Sequence, residues 1–183
     1  MIAVHSTVHP DTCRKLAERA GAQGVSVVDA PVSGGGEAAA QGRLLVMVGG
    51  DAAVVERCRP VFDTYADAVI HLGDLGAGQT TKLLNNLLFT AHLGTAATAL
   101  SLCNSLGVSP ERLTEVVSRS SGNSFALNAI GRVGGLGQLP EHVGTLLQKD
   151  ARLVVDLAGQ AAARAGAVLD AADAALSLLG HPR

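Results

Sequence analysis

Lys82 and Asn86 are the two residues of this chain whose types and spacing are best suited to acid/base chemistry. They follow a glycine-rich stretch, GDLGAG at 73–78, and begin a leucine-rich segment with helical periodicity. The three glycines allow the backbone to take positive φ and to approach a ligand closely. Residues four apart share one face of a helix, with Cβ atoms about 5–6 Å apart. An ammonium group and a carboxamide at that separation can protonate and orient one small oxygenated substrate.

The predicted position of Lys82 also favours this chemistry. A helix is predicted over 79–106, so Lys82 falls in its first turn. The positive end of a helix dipole disfavours a nearby cation by about 0.3–1 kcal/mol. Burial disfavours the charged ammonium further, so a lysine here could exchange protons near neutral pH. The alternative is a lysine that points into solvent and has no catalytic role.

The composition excludes several classes of protein. Aromatic residues make up only 2% of the 183 residues and the net charge is −2, which argues against nucleic-acid binding by base stacking or by a basic patch. No apolar run reaches the roughly 18 residues that a membrane span needs, and no histidine spacing is typical of a metal site. We interpret the three separated cysteines as buried residues of a protein in the reducing cytoplasm. They are Cys13, Cys58 and Cys103.

The chain has two halves with different periodicities. Short runs rich in β-branched residues predict strands, and they alternate with helical stretches, which is typical of a largely parallel α/β sheet. After residue 78 only helices are predicted, so we expect domains at 1–75 and 76–183. The predicted strands are 2–7, 25–29, 44–48 and 68–72, and the predicted helices are 11–21, 51–65, 79–106, 109–119, 123–131, 141–164 and 167–179, with a loop at 131–137.

The run GGGEAA at 34–39 fits the letters of a dinucleotide-binding fingerprint, G-x-G-x-x-A. Only a few residues separate it from Gly42 and the next predicted strand. A βαβ crossover needs at least about 10–12 residues, so we interpret this run as a turn after a strand. No other run in the chain fits the fingerprint.

Four motifs together resemble the β-hydroxyacid dehydrogenase family, which contains 3-hydroxyisobutyrate dehydrogenase and tartronate semialdehyde reductase. They occur in the family's order and at about its spacing, and they cover nearly the whole chain. The resemblance implies that the first half is the C-terminal part of a Rossmann-type parallel sheet, that the second half is an all-helical domain led by a long interdomain helix, and that the cofactor is NAD or NADP. The family's N-terminal NAD(P) loop has no counterpart here, so we expect an N-terminally truncated chain. The motifs are HSTVHP at 5–10, DAPVSGG at 29–35, GAGQTTKLLNN at 76–86 and LLQKD at 146–150.

The resemblance implies roles for the residues of the two central motifs. Lys82 resembles the catalytic lysine, which exchanges a proton with the substrate oxygen during hydride transfer, and Asn86 resembles a residue that hydrogen-bonds the substrate. Ser33, Gly34 and Gly35 resemble a loop that binds the substrate carboxylate. The alternatives are a packing amide for Asn86 and a tight turn for the glycines.

The outer motifs supply further candidates. Thr7 resembles a contact to the nicotinamide ribose, with a helix cap before Pro10 as the alternative. Lys149 resembles a lysine that reaches the nicotinamide end of the cofactor, with Asp150 bracing it or capping a helix; the alternative is an ordinary charged start to a helix. Asn123 and Ser124 stand where the family contributes further substrate contacts.

The activity implied by the resemblance is reversible hydride transfer between NAD(P) and a small 3-hydroxy acid or its semialdehyde, in a homodimer of the cytoplasm. One alternative is a non-catalytic dimerisation or ligand-binding remnant of such an enzyme. Another is an imine reductase, although that group tends to replace the lysine, so Lys82 argues against it.

Overall fold

The computed structural model describes all 183 residues and divides into two compact units, Met1–Leu84 and Asn85–Arg183. Helix α4 (Ala77–Leu106) runs through the division; its 30 residues span about 45 Å at 1.5 Å per residue. No helix combines the length and the apolar character needed to cross a membrane.

The first unit alternates strands with helices, as its sequence pattern predicts. The short strand β3 and the short helix α2 were not predicted. The elements before α4 are β1 (Ile2–Val4), α1 (Pro10–Gly21), β2 (Val27–Asp29), β3 (Val32–Ser33), α2 (Gly35–Ala40), β4 (Leu44–Val48), α3 (Ala52–Phe62) and β5 (Ala66–His71).

Two of the three strand pairings in this unit are parallel. β1 pairs with β2, and β4 pairs with β5, both in parallel, whereas β3 pairs with β4 antiparallel. An antiparallel bridge between Asp29 and Gly49 connects the β1–β2 pair to the three-stranded β3–β4–β5 sheet. The sheet is therefore mixed, with the end of β2 at its centre.

The core of the first unit lies between the central strands and α3. Valines from β2 and β4 meet the buried face of α3, and each fully buried side chain of this size contributes about 1.5–3 kcal/mol. Asp51 caps α3 as the sequence predicts, because its carboxylate accepts a hydrogen bond from Val54 N. The fully buried cluster is Val28, Ala30, Val46, Val48, Val55, Cys58 and Phe62.

The glycine-rich run at 34–39 connects antiparallel strands. It begins the six-residue helix α2, which lies between β3 and β4 in the chain. A parallel crossover is therefore absent at this point, which agrees with the interpretation that the run is not a pyrophosphate loop. The helix itself was missed because a six-residue segment that contains two glycines gives little helical signal.

The second unit contains only helices. Residues 85–106 of α4 pack closely on α8, where a Cβ on Gly94 would come within 2.6 Å of the carbonyl oxygen of Ala171. α6 ends at Val133, inside the predicted loop, and α7 ends four residues before its predicted end. The remaining elements are α5 (Pro110–Val117), α6 (Phe125–Val133), a 3₁₀ turn (Leu136–Gln138), α7 (Glu141–Gln160) and α8 (Gly166–Leu178).

Candidate active site

The first turn of α4 is held by a buried carboxylate from β2. Asp29 has no solvent exposure; its Oδ1 accepts a hydrogen bond from Gly76 N and its Oδ2 accepts one from Gln79 N, both at 2.6 Å. The first N–H groups of a helix have no partner within the helix, and an anion beside them is favoured by the helix dipole. This contact lets the helix begin at Ala77, two residues earlier than predicted.

Lys82 therefore lies in the second turn of α4 and not in the first. Its side chain is half-buried. The helix dipole acts mainly within the first turn, and the negative charge of Asp29 opposes it there. The four-residue spacing from Lys82 to Asn86 on one continuous helix is as predicted.

The segment that contains Thr7 is fastened to the start of α4. Gln79 is completely buried; its Oε1 accepts a hydrogen bond from Val8 N at 3.1 Å, and its Nε2 donates one to Ser6 O at 2.8 Å. Helix α1 is capped by His9, whose Nδ1 accepts a hydrogen bond from Asp11 N. The N-cap of α1 is therefore His9 and not Thr7. Cofactor contact by Thr7 stays a prediction.

The glycines at the start of α4 allow the helix to approach the sheet. A Cβ on Gly78 would overlap the carbonyl oxygen of Met47 and would lie 2.8 Å from Asp29 Oδ2. A Cβ on Gly49 would overlap Asp29 Oδ1 in the same way. Close packing around the Asp29 carboxylate is therefore sufficient to explain why Gly78 is a glycine.

The predicted carboxylate loop combines a strand residue with two glycines in unusual conformations. Ser33 is half-buried and pairs with Leu45. Gly34 has φ 128° and Gly35 has φ 71°, a region that side chains other than glycine rarely adopt. No side chain caps the N–H groups at the start of α2. The turn geometry alone explains both glycines, so binding of a carboxylate here stays a prediction.

In the second unit, one buried carboxylate joins two of the predicted site residues. Asp150 is only 3% exposed; its Oδ2 accepts a hydrogen bond from Asn86 Nδ2 at 2.6 Å, and its Oδ1 lies 2.9 Å from Lys149 Nζ. Asn86 Oδ1 accepts a hydrogen bond from Asn85 Nδ2 at 3.1 Å. Asp150 Oδ1 has the ion pair but no hydrogen-bond donor, so it keeps capacity to accept one.

Asn123 and Ser124 are placed elsewhere in the second unit. Ser124 caps α6, since its Oγ accepts a hydrogen bond from Leu127 N at 3.1 Å, and Asn123 Oδ1 accepts one from Asn128 Nδ2. Both line a cavity of about 270 Å³ to which neither Asn86 nor Asp150 contributes. The helix-cap role of Ser124 was not predicted, although a serine before an apolar run is a recognised signal for it. The other lining residues are His92, Thr95, Ala96, Ala99, Leu113, Val117, Gly122 and Leu127.

The cysteines are buried and unpaired, as their interpretation from sequence requires. Burial, and secondly the nearby charge of Asp29, raise the pKa of the Cys13 thiol to about 11. Only the thiolate is nucleophilic, so Cys13 is inert at neutral pH.

Comparison with known proteins confirms the predicted family. Residues 1–73 match the family model of the NAD binding domain of 6-phosphogluconate dehydrogenase. Residues 76–179 match the model described as NAD-binding of NADP-dependent 3-hydroxyisobutyrate dehydrogenase. The chain belongs to the β-hydroxyacid dehydrogenase family, and the predicted fold class and the predicted cofactor, NAD or NADP, are confirmed at this level.

The chain aligns with only part of the length of each individual relative. The chain is 45% identical to 3-hydroxyisobutyrate dehydrogenase of Pseudomonas aeruginosa over 123 residues, which are 67% of this chain and 41% of the relative. It is 41% identical to 2-(hydroxymethyl)glutarate dehydrogenase of Eubacterium barkeri over 124 residues, 68% of this chain and 41% of the relative. The structure of Mycobacterium tuberculosis 3-hydroxyisobutyrate dehydrogenase with L-serine superposes with a TM-score of 0.82 at 32% identity, covering 98% of this chain and 65% of that one.

Proposed function

We propose that this chain acts in an NAD(P)-dependent oxidoreductase of the 3-hydroxyisobutyrate dehydrogenase type. The reaction is reversible oxidation of the primary alcohol of a small 3-hydroxy acid to a semialdehyde. The compounds named with its relatives support this class of substrate. 3-Hydroxyisobutyrate, 2-(hydroxymethyl)glutarate and L-serine each carry a CH₂OH group on the carbon next to a carboxylate.

The observation that carries the proposal is the pairing of Lys82 with an immobilised Asn86 on one helix. Asn86 donates one N–H to the buried Asp150, which fixes the amide plane. The second N–H of the amide is then directed by that bond and can donate to a substrate oxygen. Lys82, one turn earlier, takes the hydroxyl proton during oxidation and returns it to the carbonyl oxygen during reduction.

The cofactor would accept the hydride that leaves the alcohol carbon. The residues present fit the nicotinamide end of a dinucleotide. Thr7 follows the carboxyl end of β1, the edge where α/β sheets bind ligands, in a segment that Gln79 holds in place. Lys149 is the second candidate contact. The run at 34–39 does not fit a pyrophosphate, because it connects antiparallel strands.

The substrate carboxylate is assigned to Ser33, Gly34 and Gly35. A hydroxyl and the backbone N–H groups at two glycines can bind an anion without a net positive charge. Asn123 and Ser124 remain weaker candidates, because the Ser124 hydroxyl and the Asn123 carbonyl already have partners.

Cofactor titration and turnover test the proposal together. NADH and NADPH are titrated by nicotinamide fluorescence, and turnover is followed with 3-hydroxyisobutyrate and L-serine. Lys82→Ala should lower kcat by about 10²-fold or more, the contribution typical of a general acid/base, while cofactor affinity changes less than about twofold. Lys15→Ala, at an exposed lysine of α1, is the matched control and should behave as the unaltered chain.

The outcomes separate the alternatives. Binding of NADH or NADPH with turnover that depends on Lys82 supports the proposal. Turnover that survives Lys82→Ala overturns the role of that lysine. No cofactor binding and no turnover with either substrate would overturn the enzyme proposal for this chain and leave the non-catalytic remnant.

We extend the proposal to a cytoplasmic homodimer. Leu88, Leu102 and Leu106 are exposed and lie on one side of α4, and an exposed apolar stripe of this kind commonly packs against a partner. The three unpaired, buried cysteines are typical of a reducing compartment.

The dimer is tested separately from the compartment. Light scattering after gel filtration should give twice the chain mass, and Leu102→Glu should give the monomer. Ser101→Glu, at the neighbouring exposed position, is the control.

A further inference from the structure

The side chain of Gln79 hydrogen-bonds the main chain on both sides of Thr7. Its carboxamide accepts from Val8 N and donates to Ser6 O, as a peptide group of an adjacent strand would. The two bonds flank Thr7 on both sides. Residues 5–9 are not part of a strand, and the Gln79 side chain supplies two hydrogen bonds to their backbone, at Ser6 and Val8.

The same residue is fixed from its backbone side. Gln79 N donates to Asp29 Oδ2, and the other carboxylate oxygen of Asp29 accepts from Gly76 N. Side chain and main chain of Gln79 are thus both anchored. Gln79 and Asp29 are buried, and the bonds from the Gln79 side chain to Ser6 and Val8 are partly buried. Lys82 follows three residues later on the same helix, close to one full turn away.

A side chain that only fills space would not need this chemistry. A methionine or leucine would occupy a similar volume, but it would leave Val8 N and Ser6 O without partners. A fully buried group without a partner costs about 1–3 kcal/mol, and these partly buried groups would cost less. An amide is the neutral side chain that supplies one donor and one acceptor in a fixed plane. The donor and acceptor both meet the main chain around the proposed cofactor contact.

We propose that Gln79 is a positioning residue that holds Thr7 in register with Lys82. The inference rests on the proposed function, in which Thr7 contacts the nicotinamide end and Lys82 exchanges the proton. Gln79 touches neither ligand in this role. It sets the spacing between the two groups, and misplacement of reacting groups by about 1 Å can lower a rate by about 10²-fold.

Gln79→Met tests the inference by removing both hydrogen bonds at nearly constant volume. The amides of Thr7 and Val8 should exchange with deuterium at least about tenfold faster, because a hydrogen-bonded restraint is lost, while amides of α3 remain protected. kcat should fall by about tenfold to hundredfold, with the KM for the hydroxy acid changed less than about threefold. Gln148→Met is the matched control, because Gln148 Nε2 also donates to a main-chain carbonyl, that of Pro182, in the other unit.

Gln79→Glu supplies a conditional rescue. A protonated glutamic acid can still accept from Val8 N and donate to Ser6 O, whereas the carboxylate cannot donate. The kcat of this variant should approach that of the unaltered chain at low pH and depart from it as pH rises, because the carboxylate still accepts from Val8 N but loses the bond to Ser6 O. Gln79→Met should show no such recovery.

The exchange measurement separates this inference from the proposed function. Unchanged exchange at Thr7 and Val8 in Gln79→Met overturns the inference, whether or not the chain is active. Faster exchange throughout the first unit also overturns it, because Gln79 would then be a general structural residue. Absence of turnover in the unaltered chain overturns the proposed function, and local exchange then still decides whether Gln79 holds Thr7. Unchanged kcat in an active Gln79→Met variant overturns the positioning role.

Discussion

The two units bury one carboxylate each at a candidate functional position, and they satisfy it differently. Asp29 in the first unit accepts its hydrogen bonds from main-chain N–H groups at the start of a helix. Asp150 in the second unit is partnered by side chains, the amide of Asn86 and the ammonium group of Lys149. One of its oxygens has no hydrogen-bond donor.

The main-chain partners of Asp29 and the side-chain partners of Asp150 differ in how far they can rearrange. Main-chain donors in a helix are fixed as soon as the helix forms, so the geometry around Asp29 is set by the fold. An ammonium side chain can rotate at a modest entropic cost, of up to about 2 kcal/mol for a lysine. We therefore expect the surroundings of Asp29 to be a rigid support. At Asp150 we expect Lys149, beside Oδ1, to adjust when a ligand supplies another donor, while Asn86 keeps its bond to Oδ2.

We expect the largest effect on stability from removing the carboxylate of Asp29, which is bonded to main-chain N–H groups. Asp29→Ala should lower the free energy of unfolding of the first unit by about 3–5 kcal/mol, because two buried N–H groups at the start of α4 lose their acceptor. Asp51→Ala, which removes the exposed cap of α3, should cost about 1 kcal/mol. Urea unfolding measures both. Equal losses in the two variants would contradict the idea that the buried site is the rigid support.

The tight packing around Asp29 gives the next prediction. Gly78→Ala should destabilise the first unit by about 2–3 kcal/mol, because the added Cβ meets the Met47 carbonyl and the Asp29 carboxylate, and main-chain atoms cannot move aside easily. Gly159→Ala is the control: it lies in α7, and an added Cβ there would have no neighbour within 4 Å. That control should be stabilising by about 0.5–1 kcal/mol through the unfolded chain. A Gly78→Ala variant as stable as the unaltered chain would show that the helix can shift away from the sheet.

Periodicity was sufficient to predict most elements, because local sequence determines them. The apolar spacing of α4, α5 and α7 and the β-branched runs of β2 and β4 lead to the observed helices and strands. The ordered motifs were sufficient for the family and the fold class, which the comparisons confirm. Two residues of strand and a six-residue, glycine-rich helix carry too little local signal, and β3 and α2 were missed for that reason.

The contacts that define the candidate sites were not predictable from local sequence. The start of α4 was placed two residues late because its cap, Asp29, lies 47 residues earlier in the chain. The predicted end of β1 was too late because the strand ends at Val4, and the main chain at Ser6 and Val8 is bonded by the side chain of Gln79. A buried polar residue shows its role only once the fold supplies its partners, and no feature near Asp150 in the sequence points to Asn86.

A double-mutant cycle tests the side-chain pair of the second unit. Asp150→Ala, Asn86→Ala and the double variant should give a coupling energy of about 1–2 kcal/mol, as expected for a hydrogen bond to a buried charge. Hydrogen exchange should change within the second unit only, since both residues belong to it. A coupling near zero would mean that Asn86 is not fixed by Asp150, which would weaken the observation that carries the proposed function.

The smallest effect is a pH dependence that originates next to Asp29. The pKa of Cys13 is raised from 9.0 to about 11 in the folded chain, mainly by burial and secondly by Asp29. The unfolded chain therefore loses the thiol proton first, so stability is complete below pH 9 and falls as pH rises from about 9 to about 11. At pH 10 the loss of unfolding free energy should be about 1 kcal/mol.

Urea unfolding of the unaltered chain and of Cys13→Ala at pH 8 and pH 10 isolates this contribution, because other titrating groups such as Tyr65 are common to both. If Cys13→Ala has the same loss between the two pH values as the unaltered chain, the thiol is hydrated or its surroundings relax. That result would contradict the rigidity assigned to the support around Asp29, whose charge acts on Cys13.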